Sequence, residues 1–176
     1  HAHARIVSLD TSAALAMEGV ETVLTGPELV ADGIGNIICG WGITSKDGNP
    51  MNMGAWSALA TEKVRYVGDA VAIVVADSKA QAKLASEAVV VTYEELPVVV
   101  GSVEALAPSA PKIHDNAPGN LIFDWEIGDL APTDAALASA AHVTEMEITN
   151  NRLAPNPLEP RSAIATFNEA EDHYTL

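Results

Sequence analysis

The sequence predicts an α/β (α+β) protein, and three observations predict it. Residues 70–76 (AVAIVVA) form an unbroken apolar run, as expected of a strand buried on both faces. Asp77 and Ser78 follow with capping oxygens, and Ser78 with Gln81 fits a capping box ahead of a helix over 79–88. Residues 89–93 are a second β run, so the order is β-α-β.

The remaining elements follow in chain order. Residues 5–10 alternate as a strand does, and Asp10, Thr11 and Ser12 offer caps for a helix over 12–17. Gly19 sits where that helix stops. Residues 20–25 are β-branched and predict a strand, which Gly26-Pro27 ends and a short helical turn follows. This is a second, weaker β-α-β unit. Six glycines between Gly33 and Gly54, with Pro50, predict a long loop over 33–60 that folds over something. Loops of that length inside a domain are usually functional or at an interface. In the helix over 79–88, Ala80, Leu84, Ala85 and Ala88 form the apolar stripe, and Lys79, Lys83 and Glu87 the wet side. Prolines at 97, 108, 111 and 118 mark 101–120 as a surface linker. Strands are expected at 121–127, 143–149, 162–167 and 174–176, with a helix over 133–140 whose first turn Pro132 pre-sets. The partners of the last strands are expected beyond the terminus.

Composition narrows the function. The hydrophobic fraction is 48% and the aromatic fraction only 5%, so Ala, Val, Leu and Ile must fill the core. The net charge is −15, and no cluster of Lys or Arg offsets it, which excludes nucleic acid as a partner. The acidity instead suits solubility or a basic patch on another subunit. No apolar run approaches the roughly 20 residues of a membrane span. The single cysteine, Cys39, forms no disulfide framework and no CxxC site. It reads as a small apolar packer, and the composition suits the reducing cytoplasm. The chain opens at His1 without a Met, so its natural start is expected upstream.

Few residues offer chemistry. His1 and His3 have the spacing of metal ligands on a strand, but an interface or solvated terminus explains them as well. His114, His142 and His173 are scattered, with no second ligand at zinc-like spacing. Gly33-Ile34-Gly35 lacks the strand, helix and third glycine of a dinucleotide site. Glu94 and Glu95 are adjacent on a strand, point to opposite faces and cannot share acid/base work. The distinctive segment is 150–161 (NNRLAPNPLEPR). Three prolines hold it extended, and its Asn, Arg and Glu side chains could line a pocket. The competing reading is a stiff crossover whose Arg and Glu pair with each other.

That segment also carries a family resemblance. Residues 151–161 (NRLAPNPLEPR) resemble the "NRL-PNPMEPR" stretch of aerobic carbon monoxide dehydrogenase large subunits and their homologues. Residues 64–72 (VRYVGDAVA) resemble "VRYVGEPVA", 93–97 (YEELP) resemble "DYEPLP", and 114–120 (HDNAPGN) resemble "HDEAPGN". The opening HAHARI, followed by Asp10, is similar to "PHAHARI…D". Five motifs in register over nearly the whole chain identify a molybdenum hydroxylase large subunit of the carbon monoxide dehydrogenase and xanthine dehydrogenase family.

The resemblance implies a hammerhead-type domain of β-α-β units with a mixed sheet over 1–105, a connector over 106–120, and the beginning of the molybdopterin-binding domain over 121–176. It implies a molybdenum–pterin cofactor in the full subunit, with [2Fe–2S] clusters and FAD on partner subunits or domains. It implies as partners the remainder of the large subunit, the iron–sulfur and flavin subunits, and a further copy in a homo-oligomeric holoenzyme. The family's pterin-holding glycine segments, its loop facing the metal and its basic Glu have no counterpart among these residues, and its glutamine motif is expected just after Leu176. The chain alone is therefore expected to be inactive and to hold no cofactor. Asn151, Arg152, Glu159 and Arg161 are the candidates for lining or supporting the active-site channel, and the 33–60 loop for contacting another part of the enzyme. The alternative function is a non-catalytic interaction domain with the hammerhead fold.

Overall fold

The computed structural model describes every residue except Ala55, Thr149, Asn151, Arg152, Ala154, Pro155, Asn156 and Pro160. The chain divides into two units, His1–Gly128 and Asp129–Leu176.

The first unit is built from two β-helix-β segments that interlock. In the first, β1 (Ala4–Asp10), α1 (Ser12–Leu15) and β2 (Val20–Thr25) follow one another, and α2 (Gly26–Ala31) comes next. In the second, β4 (Ala72–Ala76), α3 (Lys79–Glu87) and β5 (Val90–Glu95) do the same. A two-residue strand, β3 (Lys63–Val64), precedes them. β1 pairs with β5 and β3, while β2 pairs with β4, so each segment sends its strands into two different sheets. The expected β-α-β order is present, but the strands flanking a helix are not neighbours. Every pairing among the described residues is antiparallel, which corrects the expectation of a mixed sheet. The physical reason is the interlock: each strand finds its partner in the other segment, running the opposite way.

Local chemistry explains the boundaries. Asp10 Oδ1 accepts the amide of Ser12 at 2.9 Å and starts α1. Gly19, at φ +77, takes the left-handed turn between α1 and β2, and the Gln81 side chain lies against its Cα. Thr25 and Glu28 cap α2: Glu28 Oε2 accepts both the Thr25 amide and its hydroxyl at 2.7 Å. These bonds hold the Glu28 carboxyl below its ordinary range. Ser78 Oγ accepts the Gln81 amide at 3.3 Å, as the capping pattern predicts. A bulge in β1 between Ile6 and Ser8 turns Val7 outward.

Two small clusters form the core, one of Ala4, Ala60 and Val64 and one of Ala14, Val23 and Ala85. Ile6, Val71 and Tyr93 pack on the first; Met17, Val20, Ala72, Val74, Ala88 and Val89 pack on the second. Alanines at the centre let helices and sheets approach closely, the arrangement expected of a chain poor in aromatics. β4 is not buried on both faces as its apolar run suggests: Ala72, Val74 and Ala76 are half-buried, whereas Ile73 and Val75 remain exposed. Its sheet has only two strands, and the helix packs on one side. The predicted stripe of α3 shifts for the same reason. Ala85 is buried and Ala88 half-buried, but Leu84 is exposed and Gln81 and Ala82 turn inward in its place.

The linker is more structured than expected. It contains α4 (Ser102–Ala105) and a 3₁₀ turn over Pro118–Asn120. Residues 121–127 form no strand. They run extended along the 33–60 loop and bond to it, as described below.

In the second unit, α5 spans Leu130–Ser139, with Pro132 in its first turn. No strand forms among the described residues of 143–149. β6 (Thr166–Asn168) and β7 (His173–Thr175) pair with each other, Phe167 opposite Tyr174. The strands expected to seek partners beyond the terminus thus pair as a local hairpin, because the four residues 169–172 are enough to turn the chain and a two-stranded ladder can close locally. Among the described residues, no helix is long and apolar enough to cross a membrane.

Candidate functional site

The loop over 33–60 and the segment after α4 build one surface. At the loop's tip the chain folds back on itself: the Ser45 amide donates to Asn49 O at 2.8 Å, the Met51 amide donates to Ile43 O at 2.9 Å, and Gly48 turns at φ +85. Asp47 accepts the amide and the side-chain NH₂ of Asn49, both at 3.0 Å, which keeps its carboxyl below the usual range. Residues 113–124 then run antiparallel to the loop. The Lys46 amide donates to Asp124 O at 2.8 Å, and Lys46 Nζ pairs with Asp124 Oδ2 at 2.8 Å. The Asn52 amide donates to Ile122 O at 2.7 Å, and the Asn116 side chain donates to Met53 O. The expected strand at 121–127 therefore bonds like a strand but to an irregular partner, so no regular ladder forms.

Two shallow grooves mark this surface. One, of about 280 Å³, is lined by Ser45, Asp47, Asn49, Asn52 and Phe123 among others. The other, of about 300 Å³, lies between Trp41 and Trp125. Trp41 and Ile38 are among the most exposed large apolar residues of this unit. A patch this apolar on a chain this acidic is suited to contact with another polypeptide.

Beneath the surface lies a pair of histidines. His3 is 5% exposed, and its Nδ1 donates to Pro97 O at 2.8 Å. Its backbone carbonyl accepts the Leu96 amide at 3.0 Å, so the residue ties β1 to the exit of β5. His3 Nε2 is buried without a partner among the described residues. His114 packs on Trp56, ring centroids 5.9 Å apart, and on Gly54. Burial first, and then the Arg65 guanidinium, hold the His114 ring below its ordinary pKa. His1 does not join them. It pairs with Glu95 at 3.2 Å and stacks on Tyr93. Among the described residues no three His, Cys, Asp or Glu side chains stand close enough to hold a metal. Glu94 and Glu95 have separate partners, Arg5 and His1, and share no work.

Of the four residues singled out by sequence, Asn151 and Arg152 lie outside the described residues. Glu159 and Arg161 are exposed in the second unit and make no ion pair with each other. Cys39 is a correction. Its thiol is exposed and donates to Trp41 O at 3.4 Å, because the loop that carries it has no core to enter. Asn52, Asn116 and Asn120 organise the surface; the sequence drew Asn116 and Asn120 in only within the 114–120 resemblance and gave none of the three a role. Their signal was the Gly119-Asn120 pair, a dipeptide that favours positive φ. Among the described residues of the second unit none is buried, and no three His, Cys, Asp or Glu side chains cluster.

Comparison with known proteins supplies what the geometry alone does not. Residues 1–97 match the model of the aldehyde oxidase and xanthine dehydrogenase a/b hammerhead domain, and residues 113–176 that of the molybdopterin cofactor-binding domain. The carbon monoxide dehydrogenase large chain of Afipia carboxidovorans is 36% identical over 100% of this chain and 22% of its own length. The aldehyde oxidoreductase of Megalodesulfovibrio gigas is 37% identical over 95% of this chain and 18% of its own. Among solved structures, quinoline 2-oxidoreductase from Pseudomonas putida 86 superposes with a TM-score of 0.80 at 32% identity, covering 98% of this chain and 21% of that one. The chain thus spans about a fifth of the length of these relatives. It belongs to the aldehyde oxidase and xanthine dehydrogenase family of molybdenum hydroxylase large subunits, and corresponds to their hammerhead domain and a part of their molybdopterin-binding domain.

Proposed function

We propose that this chain is the scaffold portion of the catalytic large subunit of a carbon monoxide dehydrogenase-like molybdenum hydroxylase. In the intact enzyme a small molecule is oxidised with water as the oxygen source, releasing two electrons and two protons. Carbon monoxide would leave as carbon dioxide, and a C–H substrate as its hydroxylated product. The cofactor is the molybdenum–pterin group, and the electrons pass to [2Fe–2S] clusters and FAD on partner subunits or domains. The observation that carries this reading is the 36% identity with a carbon monoxide dehydrogenase large chain over the full chain. Relatives named for aldehyde, nicotinate and nicotine oxidation keep the substrate class open between these chemistries.

Within this reading the hammerhead scaffold runs over 1–105, the connector over 106–120 and the molybdopterin-binding portion over 121–176. The exposed Trp41–Trp125 surface of the 33–60 loop docks on the remainder of the large subunit or on an iron–sulfur or flavin subunit. Asn151, Arg152, Glu159 and Arg161 line or support the substrate channel. The holoenzyme is a homo-oligomer in the cytoplasm, and the 176-residue chain by itself is inactive.

The test is reconstitution. The chain is fused to the remainder of a relative's large subunit, co-expressed with its partner subunits, and assayed for molybdenum content and for dye reduction with carbon monoxide or an aldehyde. Stoichiometric molybdenum and turnover support the reading. A chimaera that folds and assembles but binds no molybdenum contradicts it, as would turnover by the 176-residue chain alone.

A further inference from the structure

The segment from Pro111 to Asp124 is a strap with an unusual fastening. Asn120 sits at φ +55, beside Gly119 at φ +63. Its side chain makes three hydrogen bonds at 3.0 Å: Oδ1 accepts the Ile113 amide, and Nδ2 donates to Ala105 O and Pro111 O. The near end of the strap is thus closed on itself. Its middle is fixed to the body of the unit by two cations. Arg65 Nε donates to Ile113 O at 3.2 Å, and Lys63 Nζ pairs with Asp115 Oδ2 at 3.1 Å. Within the strap, Ala117 is buried. Between the two cation contacts stands His114, pressed on Gly54 so closely that a Cβ there would lie 2.7 Å from its Nδ1.

We propose that this strap is a pH-gated clasp with His114 as its sensor: the neutral ring lets it close on Gly54 and Trp56, and uptake of a proton opens it. The groups that bear on the ring come from both sides: Arg65 and Asp115 from the fastening, His3 from the residue before β1, and Asp69, which accepts the Arg65 amide at 3.0 Å. Arg65 and His3 oppose a positive charge there, Asp115 and Asp69 favour it, and burial opposes it most. The balance favours the neutral ring in the closed strap. An opened strap returns His114 to water and to an ordinary value of about 6.5. The open form therefore takes up the proton first, and closure weakens as pH falls through that value. The Lys63–Asp115 pair does not set this window, because Lys63 holds the Asp115 carboxyl below its already acidic ordinary value. Opening the strap uncovers Trp56 and frees the Asn116 and Asn52 bonds that shape the 33–60 loop. The clasp thus couples proton concentration to the shape of that surface.

Hydrogen exchange of the full chain, corrected for the intrinsic pH dependence, tests this. Between about pH 7.5 and 5.5, protection over 112–124 is expected to fall by no more than about tenfold, the ceiling for one proton, while α3 keeps its protection. His114→Gln and His114→Phe should remove that fall. Asn120→Ala should open the strap at both pH values, which shows that the measurement sees opening. A titration of the His114 ring by NMR should give a midpoint below about 6.5. A fall in protection that persists in both His114 variants overturns the proposal. So does a pH-independent strap in a chain where Asn120→Ala exchanges quickly, or a His114 midpoint at or above the ordinary value.

Discussion

The two units differ in what holds them together. In His1–Gly128 the helices bury Ala14 and Ala85 against a sheet, Leu59 and Val64 are buried, and long-range bonds such as Ile6 N to Glu62 O tie distant segments. In Asp129–Leu176 every described residue is exposed. α5 carries Leu130 and Leu137 into solvent, and the β6–β7 hairpin has a single apolar ring pair, Phe167 on Tyr174 at 4.5 Å. An isolated ten-residue helix and a two-stranded hairpin are both marginal in water. Local sequence signals thus suffice to shape the second unit's elements, whereas only burial makes elements cooperate as they do in the first.

The sharpest way to break this contrast is paired truncation. Leu59→Ala, at a site 2% exposed, is expected to cost about 2–5 kcal/mol in a urea denaturation monitored on the first unit. Leu137→Ala, on exposed α5, should change it by no more than about 0.5 kcal/mol. Equal effects would erase the distinction. Gly26→Ala comes next. A Cβ there would stand 2.4 Å from the Ala60 carbonyl oxygen, so the backbone must move, and about 1–3 kcal/mol of stability should be lost. Removing the α3 cap with Ser78→Ala should cost about 1 kcal/mol, and amides at the start of α3 should exchange faster. The smallest effect is electrostatic. Lys63 lowers the Asp115 pKa, so the contribution of that pair is complete well above 3.8 and is lost as pH falls through the lowered value. Lys63→Met should flatten the acid limb of the first unit's stability curve and leave neutral pH almost unchanged.

Much of the first unit was legible because its signals are local. Ser78 with Gln81 marks a helix start, Gly19 marks a stop, and residues 20–25 and 89–93 carry the β-branched side chains that strands prefer. The candidate site was less legible. The segment over 150–161 drew attention by its prolines and polar side chains, yet its described residues Glu159 and Arg161 are exposed and meet no side-chain partner among the described residues. The organised surface depends instead on Asn52, Asn116 and Asn120, common residues whose role comes from where distant backbone carbonyls fall.

By itself the sequence determined the order and type of the principal elements, the α/β class and the family, because caps, turns, side-chain period and motif spelling act over a few residues. Tertiary structure alone decided that β1 joins β5 and β2 joins β4, that Leu84 faces water while Gln81 turns inward, and that residues 113–124 lie along the loop. These choices are made by contacts between residues tens of positions apart, where the gain from shared burial outweighs what any short window of sequence prefers.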